Sequence, residues 1–329
     1  MVRSRWRTGL VGLVLAVGMT GGLEPARGQS APARPNPGSS MSAEQPQPTM
    51  RISPAKLELL DPGTGDRQPL RLRLRAGDRQ QVVLSMKANM QIGFGGSPTP
   101  INSSTEVRAA SDITIDRADA NGNVAYTLRY SKVEIIPPPG TPPAAQQAIN
   151  ATASQIQGIS LRVSGNSRGQ LSDVNVSANR PLEPGLQAML SQLSESVRNS
   201  NIEFPADPVG VGARWKVTMQ VESNGLRIDQ QATYEITEMS PDRVVFAVTA
   251  EQTAPAQKIL VPGLNPDQAP SLRSYRATGA GRVEMQLNRP VPTQSNIDMK
   301  LRSEIDSPLG DGTATISGDM SLTLESPTP

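Results

Sequence analysis

Apolar and polar residues alternate one for one over most of this chain, and that period of two limits what it can build. Leu70, Leu72 and Leu74 alternate with Arg71, Arg73 and Arg75. After an Ala76-Gly77-Asp78 turn, Val82, Leu84, Met86, Ala88, Met90 and Ile92 share one parity among mostly polar neighbours. Successive strand side chains point to opposite faces, so such runs are antiparallel strands with one wet and one apolar face. These two runs are expected to form the first hairpin. The pattern returns in Val107, Ala109, Ile113 and Ile115, then in Val124, Tyr126, Leu128 and Tyr130. It returns again in Ile159, Leu161 and Val163, in Val174 and Val176, and in Trp215, Val217, Met219 and Val221. Leu226 to Ile236, Val244 to Val248, Val283 to Leu287, Ile297 to Leu301 and Ile316 to Leu324 complete the series. The reading is about eleven strands, most of them joined by hairpin signals.

Two segments break the alternation. Glu183-Pro184-Gly185 opens a helix near 184–199, with Leu186, Met189, Leu190, Leu193 and Val197 on one face. A second helix, near 143–157, follows the Pro-rich punctuation around Gly140 and carries a thinner stripe of Ala145, Ile149 and Ile156. A sheet with one apolar face must cover that face. Two helices cannot cover eleven strands, so the sheet must curl. The expected fold class is mainly β (α+β): a strongly curved antiparallel sheet or half-barrel of about eleven strands with two helices on its concave side.

The N-terminus has a different character. Arg3, Arg5 and Arg7 precede a short apolar stretch from Gly9 to Leu23, and small residues follow at Ala26-Arg27-Gly28. That order describes a secretory signal over residues 1–28, short for a membrane span; retention as an anchor is the competing reading. Residues 29–50 are rich in Pro, Ser, Ala and Gln and are expected to be a disordered linker. Residues 51–329 then form a single domain. Localisation is expected to be exported, in the periplasm or outside a bacterial cell.

Composition removes whole classes of chemistry. The chain has no Cys and no His. Disulfides, thiol catalysis, Ser-His-Asp triads and the usual zinc and haem sites are therefore excluded. Without the first 28 residues the charge is 28 basic against 29 acidic. With no basic excess and few aromatics, nucleic-acid binding has no support. Acidic residues are scattered, Ser-x-x-Lys does not occur, and no catalytic constellation emerges. Neither a metal nor a cofactor is expected. Asp119-x-Asn121-Gly122-Asn123 resembles a calcium loop only in passing. Its Gly stands at position 4 rather than 6 and Tyr130 occupies position 12, so a hairpin turn is expected. An outer-membrane barrel would need aromatic girdles, and the few aromatics are not grouped at strand ends.

What remains is the apolar face. Of 12 Met, six fall on inward strand positions: Met86, Met90, Met219, Met285, Met299 and Met320. Met is flexible and polarizable and suits surfaces that adapt to irregular apolar ligands. These six, with Trp215, are the candidate lining of an apolar cavity; an ordinary filled core is the competing reading. The Pro-rich segment Thr253–Tyr275 carries Ile259, Leu260, Val261 and Leu264, read either as a lid over the cavity mouth or as a loop packed on the sheet edge. In Phe204–Trp215, FPADPVGVGARW, Pro205 and Pro208 prevent pairing before Val209. Gly210 and Gly212 allow a tight turn, and Trp215 starts a new strand. The stretch reads as a joint anchored by Trp215.

The same stretch resembles the Phe/Leu-Pro-x-x-Pro-Val-x-Val-Gly-x-x-Trp signature of a family of secreted bacterial proteins catalogued as domain of unknown function 6263. The run from Leu70 to Met90 is similar to that family's opening hairpin, and the likeness covers about residue 68 to the C-terminus. Gly210 stands where the signature would lead one to expect a polar or charged residue. The resemblance implies export and supplies no catalytic residue. In outline, a curved sheet with internal helices is also similar to periplasmic lipoprotein carriers of the LolA/LppX type, a likeness of architecture alone. The expected role is non-enzymatic binding or carriage of a lipid or other apolar small molecule. The alternative is a structural or protein–protein interaction module that meets envelope proteins.

Overall fold

The computed structural model describes residues 50–52, 55–94, 101–178, 202–223, 226–259, 269–306 and 312–327. The expected signal, the linker before Met50 and the 184–199 helix lie outside the described residues. Within them the protein is mainly β and antiparallel, with one helix. In chain order the strands are β1 (Met50–Ile52), β2 (Lys56–Asp61), β3 (Thr64–Gln68), β4 (Arg79–Phe94), β5 (Ile101–Ala118), β6 (Asn123–Ile136), β7 (Ser160–Asn166) and β8 (Leu171–Ser177). They continue as β9 (Val209–Val211), β10 (Arg214–Ser223), β11 (Leu226–Met239), β12 (Arg243–Ala254), β13 (Gln257–Lys258), β14 (Ser271–Gln286), β15 (Gln294–Asp306) and β16 (Thr313–Glu325). The described strands thus exceed the expected eleven, because short pieces such as β1, β3, β9 and β13 carry too few residues to show a period.

Fourteen strands form one sheet, ordered β1-β10-β11-β12-β14-β15-β16-β4-β5-β6-β7-β8, with β2 also on β10 and β13 on β14. β3 and β9 pair separately. The sheet is two up-and-down meanders, β4 to β8 and β10 to β16, joined where the last strand pairs with β4 from Glu325↔Val83 to Ala314↔Phe94. Among the described residues the strand path does not close on itself.

Nevertheless its two ends meet through a short segment. Trp215 on β10 donates its indole N–H to the Glu203 carbonyl at 3.0 Å. The next residue, Phe204, donates its backbone N–H at 2.9 Å to Arg168, in the turn between β7 and β8. Those strands are nine steps apart along the order, about 43 Å in a flat sheet at roughly 4.8 Å per strand. Bridging by consecutive residues requires the sheet to bend.

The Leu70–Arg75 run is not the first strand of a hairpin. It has no ladder partner. Leu72 N–H donates to Ser167 in the β7–β8 turn (2.7 Å), and Arg73 N–H donates to Leu287 just past β14 (2.6 Å). The run is a strap across one end of the sheet. Its alternation was legible because Leu70, Leu72 and Leu74 all point into the core, and burial on one side gives the same period as pairing does. Arg71 ties the strap to the joint, its guanidinium donating to the carbonyls of Pro205 (3.0 Å) and Ala206 (2.8 Å). Gly210 is fixed by the same crowding. A Cβ there would stand 2.2 Å from the Thr64 carbonyl oxygen, so β3 leaves no room for the side chain that the family signature would place.

Helix α1 (Pro143–Ile156) lies almost where the sequence puts it, and Ala153 and Ile156 are its buried residues. They join the main core, which also holds Val133 and Tyr130 of β6. The Asp119 stretch is a hairpin turn between β5 and β6. Its carboxylate accepts the backbone N–H groups of Asn121 and Asn123 at 3.0 Å each.

Leu72→Ala should lower stability by about 2–5 kcal/mol, whereas Leu60→Ala, at a residue 46% exposed, should change it by about 0.5 kcal/mol or less; urea unfolding reads both. Burial pushes the Glu203 carboxyl upward, held back by Gln170 and Arg168. The folded state therefore binds that proton more tightly than the unfolded chain, and its loss at higher pH costs stability. Glu203→Gln should raise the urea midpoint at pH 8. The gain should fade as pH drops below about 4.3, the ordinary Glu value.

Candidate functional site

The register follows one inward face across the whole sheet. One row runs Trp215–Tyr234–Val248–Gly281–Ile297–Leu322–Met86–Val107. The next runs Val217–Ala232–Ala250–Gly279–Met299–Met320–Ala88, and a third Met219–Gln230–Gln252–Ala277–Leu301–Gly318–Met90. Five of the six expected methionines lie on these rows, and Met285, opposite Val244, lies on the same face two rows beyond the first. The other face is wet. Arg243 grips Glu284 through two 2.8 Å contacts and Glu238 through a third, and Arg282 adds another to Glu238.

The inward face is packed at two ends. The larger core holds Trp215, Phe204, Phe246, Ile113, Leu161 and the strap leucines. The smaller holds Ile92, Ile259, Leu272, Ile305, Ala314 and Ile316. Met285 is buried in the first, Met219 packs against it, and Met90 packs against the second. Met86, Met299 and Met320 belong to neither and stay half-buried on central strands, as do Leu301 and Leu322. These five form an apolar band between two filled ends. The two leucines share the inward parity of the alternation but carry no further signal in sequence, since Leu is among the commonest core residues. Only the packing separates them from buried neighbours.

Small residues border the band. A Cβ on Gly279 would come within 2.8 Å of Met299 Cγ, and one on Gly318 within 2.3 Å of Met90 Sδ. Each methionine therefore lies over a glycine, an arrangement that an unbranched thioether can leave by rotation.

Trp215 is fully buried and stacks on Tyr234 (5.4 Å, 16°), with Phe246 edge-on at 5.5 Å. It anchors the filled end and reaches no part of the band. Burial, and then the charge of Glu203, push the Tyr234 phenol up to about 12. Ile259, from the expected lid, is fully buried in the smaller core, its N–H donating to the Pro270 carbonyl at 2.8 Å. Leu260, Val261 and Leu264 lie outside the described residues. A depression of about 480 Å³ is lined by Lys56, Thr218, Met219, Gln220, Asp229, Gln230, Gln231, Glu251 and Thr253. Most of these occupy outward register positions, and Met219 is the one member of the Met set among them.

No family model matches the chain, and no curated protein does. Among solved structures it is similar to Pseudomonas aeruginosa OccK2 (OpdF), at 7% identity and a TM-score of 0.21, over 76% of this chain and 98% of that one. The same protein in complex with glucuronate gives 8% and 0.22, over 77% and 100%. Scores of that size carry no argument about fold or function.

The glycine–methionine contact makes a prediction of its own. Gly279→Ala should cost about 1–3 kcal/mol through overpacking against Met299. In a Met299→Ala background the cost should fall by at least half, and a double-mutant cycle on urea unfolding measures that coupling.

Proposed function

We propose that this chain is an exported envelope protein that binds or carries a lipid or other apolar ligand along the inward face of a half-barrel, without catalysis. The observation that supports this most is the unclaimed band. Met86, Met299, Leu301, Met320 and Leu322 sit on central strands, where side chains normally pack, yet join neither core. Contiguous apolar surface left partly open to solvent is where interaction or ligand-binding sites are found. Export rests on the basic and apolar N-terminus and agrees with the resemblance to secreted bacterial proteins. The charged outer face fits a molecule surrounded by water rather than hydrocarbon.

The alternative, an interaction module with a filled core, draws support from the aromatic end. There Trp215, Phe204 and Phe246 are completely buried. The two readings part at the band. Protein purified from the envelope fraction would be extracted with organic solvent and the extract analysed by mass spectrometry. The lipid reading expects a long-chain lipid in the wild-type extract, and at least tenfold less from a Met299→Asp/Met320→Asp variant. Unchanged Trp215 emission would certify that variant's fold, since Trp215 reports the packed end. A clean wild-type extract, together with no binding of a pyrene-labelled alkane, would refute the reading and favour the interaction module.

A further inference from the structure

Three polar side chains on the inward face are joined in a directed chain. The Tyr275 hydroxyl donates to Gln252 Oε1 at 2.8 Å, and Gln252 Nε2 donates to Gln230 Oε1 at 2.9 Å. Gln252 is 9% exposed, while Tyr275 and Gln230 are half-buried. Burial pushes the Tyr275 phenol up to about 12, so its proton stays in place at any physiological pH. Each amide oxygen named accepts one hydrogen bond from the donor before it. The chain runs from the Tyr275 hydroxyl toward donors, the N–H groups of Gln230 Nε2 and the remaining N–H of Gln252.

This chain lies beside the apolar band. Gln252 shares its row with Ala277 and Leu301. Ala250, two residues back along β12, shares the neighbouring row with Gly279, Met299 and Met320. Leu301 of the band stands two strands across from Gln252 in one row, about 10 Å, and Met299 lies about 7 Å further along the strand direction. An apolar surface and a set of hydrogen-bond donors thus stand about 10 Å apart on one face, a span that a single long-chain amphiphile covers. A further fact concerns charge. Following the register from β10 to β8, no described inward strand position carries a charged side chain. An ionised carboxylate or phosphate placed there would lose water without gaining a counter-charge from any described inward strand position, which is far more costly than seating a neutral acceptor.

From this we infer that the ligand is an uncharged amphiphile: a long apolar chain ending in a neutral oxygen acceptor, an ester or an alcohol, seated on the Met band with its oxygen at Gln230 and Gln252. The inference rests on the lipid reading above and narrows it. It excludes free carboxylates and anionic phospholipids as preferred ligands.

Three probes with one pyrene-labelled dodecyl tail test it at pH 8: the plain hydrocarbon, the methyl ester and the free carboxylate, each titrated by fluorescence against the full chain. The ester should bind at least tenfold tighter than the carboxylate. Gln252→Leu should lower ester affinity about five- to tenfold, to the level of the hydrocarbon, and leave the hydrocarbon unchanged. Gln230→Leu, at a less buried position, should do the same and guards against a folding defect in the first variant. Equal or tighter binding of the carboxylate, or an equal loss for all three probes in both variants, would overturn the neutral-head inference and leave the lipid reading standing. Binding of none of the three by the wild type would remove both.

Discussion

Two consecutive hydrogen bonds hold the ends of the sheet together. Glu203 accepts the Trp215 indole N–H, and Phe204 donates to Arg168. Everything on the inward face depends on that short bridge. Without it, a long antiparallel sheet would expose its apolar side. With it, the strap leucines, the aromatic group and α1 all find partners in one core. The Pro and Gly of the joint serve this purpose. Pro205 and Pro208 keep the chain from pairing early, and Gly210 lets its backbone approach Thr64. Charge reinforces the closure, because Arg71 and Arg168 both cap carbonyls of the 204–206 segment.

The packing is uneven in a way that bears on function. Large aromatic and branched side chains fill one end. Isoleucines and a leucine fill the other. Between them the side chains are methionine, leucine, alanine and glycine, a mixture with low shape specificity and high adaptability. A rigid core would use branched residues with well-defined rotamers. The centre of this sheet instead has side chains that can re-pack over glycines. The proposed lipid reading asks for that property, and a permanently filled core does not.

Much of this was legible from period and punctuation. The inward parity of the six methionines, the helix near 143–157, the Asp119 turn and the joint at Trp215 all rest on local rules, and local rules act within a few residues. What the sequence concealed depends on distant partners. Leu70, Leu72 and Leu74 alternate like a strand, but whether a strand finds a ladder is decided elsewhere, here by Ser167 and Leu287. The division of the methionines into buried and half-buried sets is likewise a property of three-dimensional neighbours. Met285 and Met299 have the same local pattern, and only the cores on either side distinguish them. The Tyr275–Gln252–Gln230 chain spans three strands and leaves no mark on any one of them.

The pairing of β16 with β4 has a consequence for how the molecule comes into being. The strand that joins the two meanders, β16, comes after all the other described strands, and it pairs over long distances in sequence, Thr323 reaching Ser85 across 238 residues. Until it arrives, the outer side of β4 is an open edge bearing Met86, Met90 and unpaired peptide groups, a template for association with any other extended chain. That edge stays open for as long as β16 is missing. Pairing of the two meanders is therefore a late event in folding, and the N-terminal meander needs protection until β16 completes it.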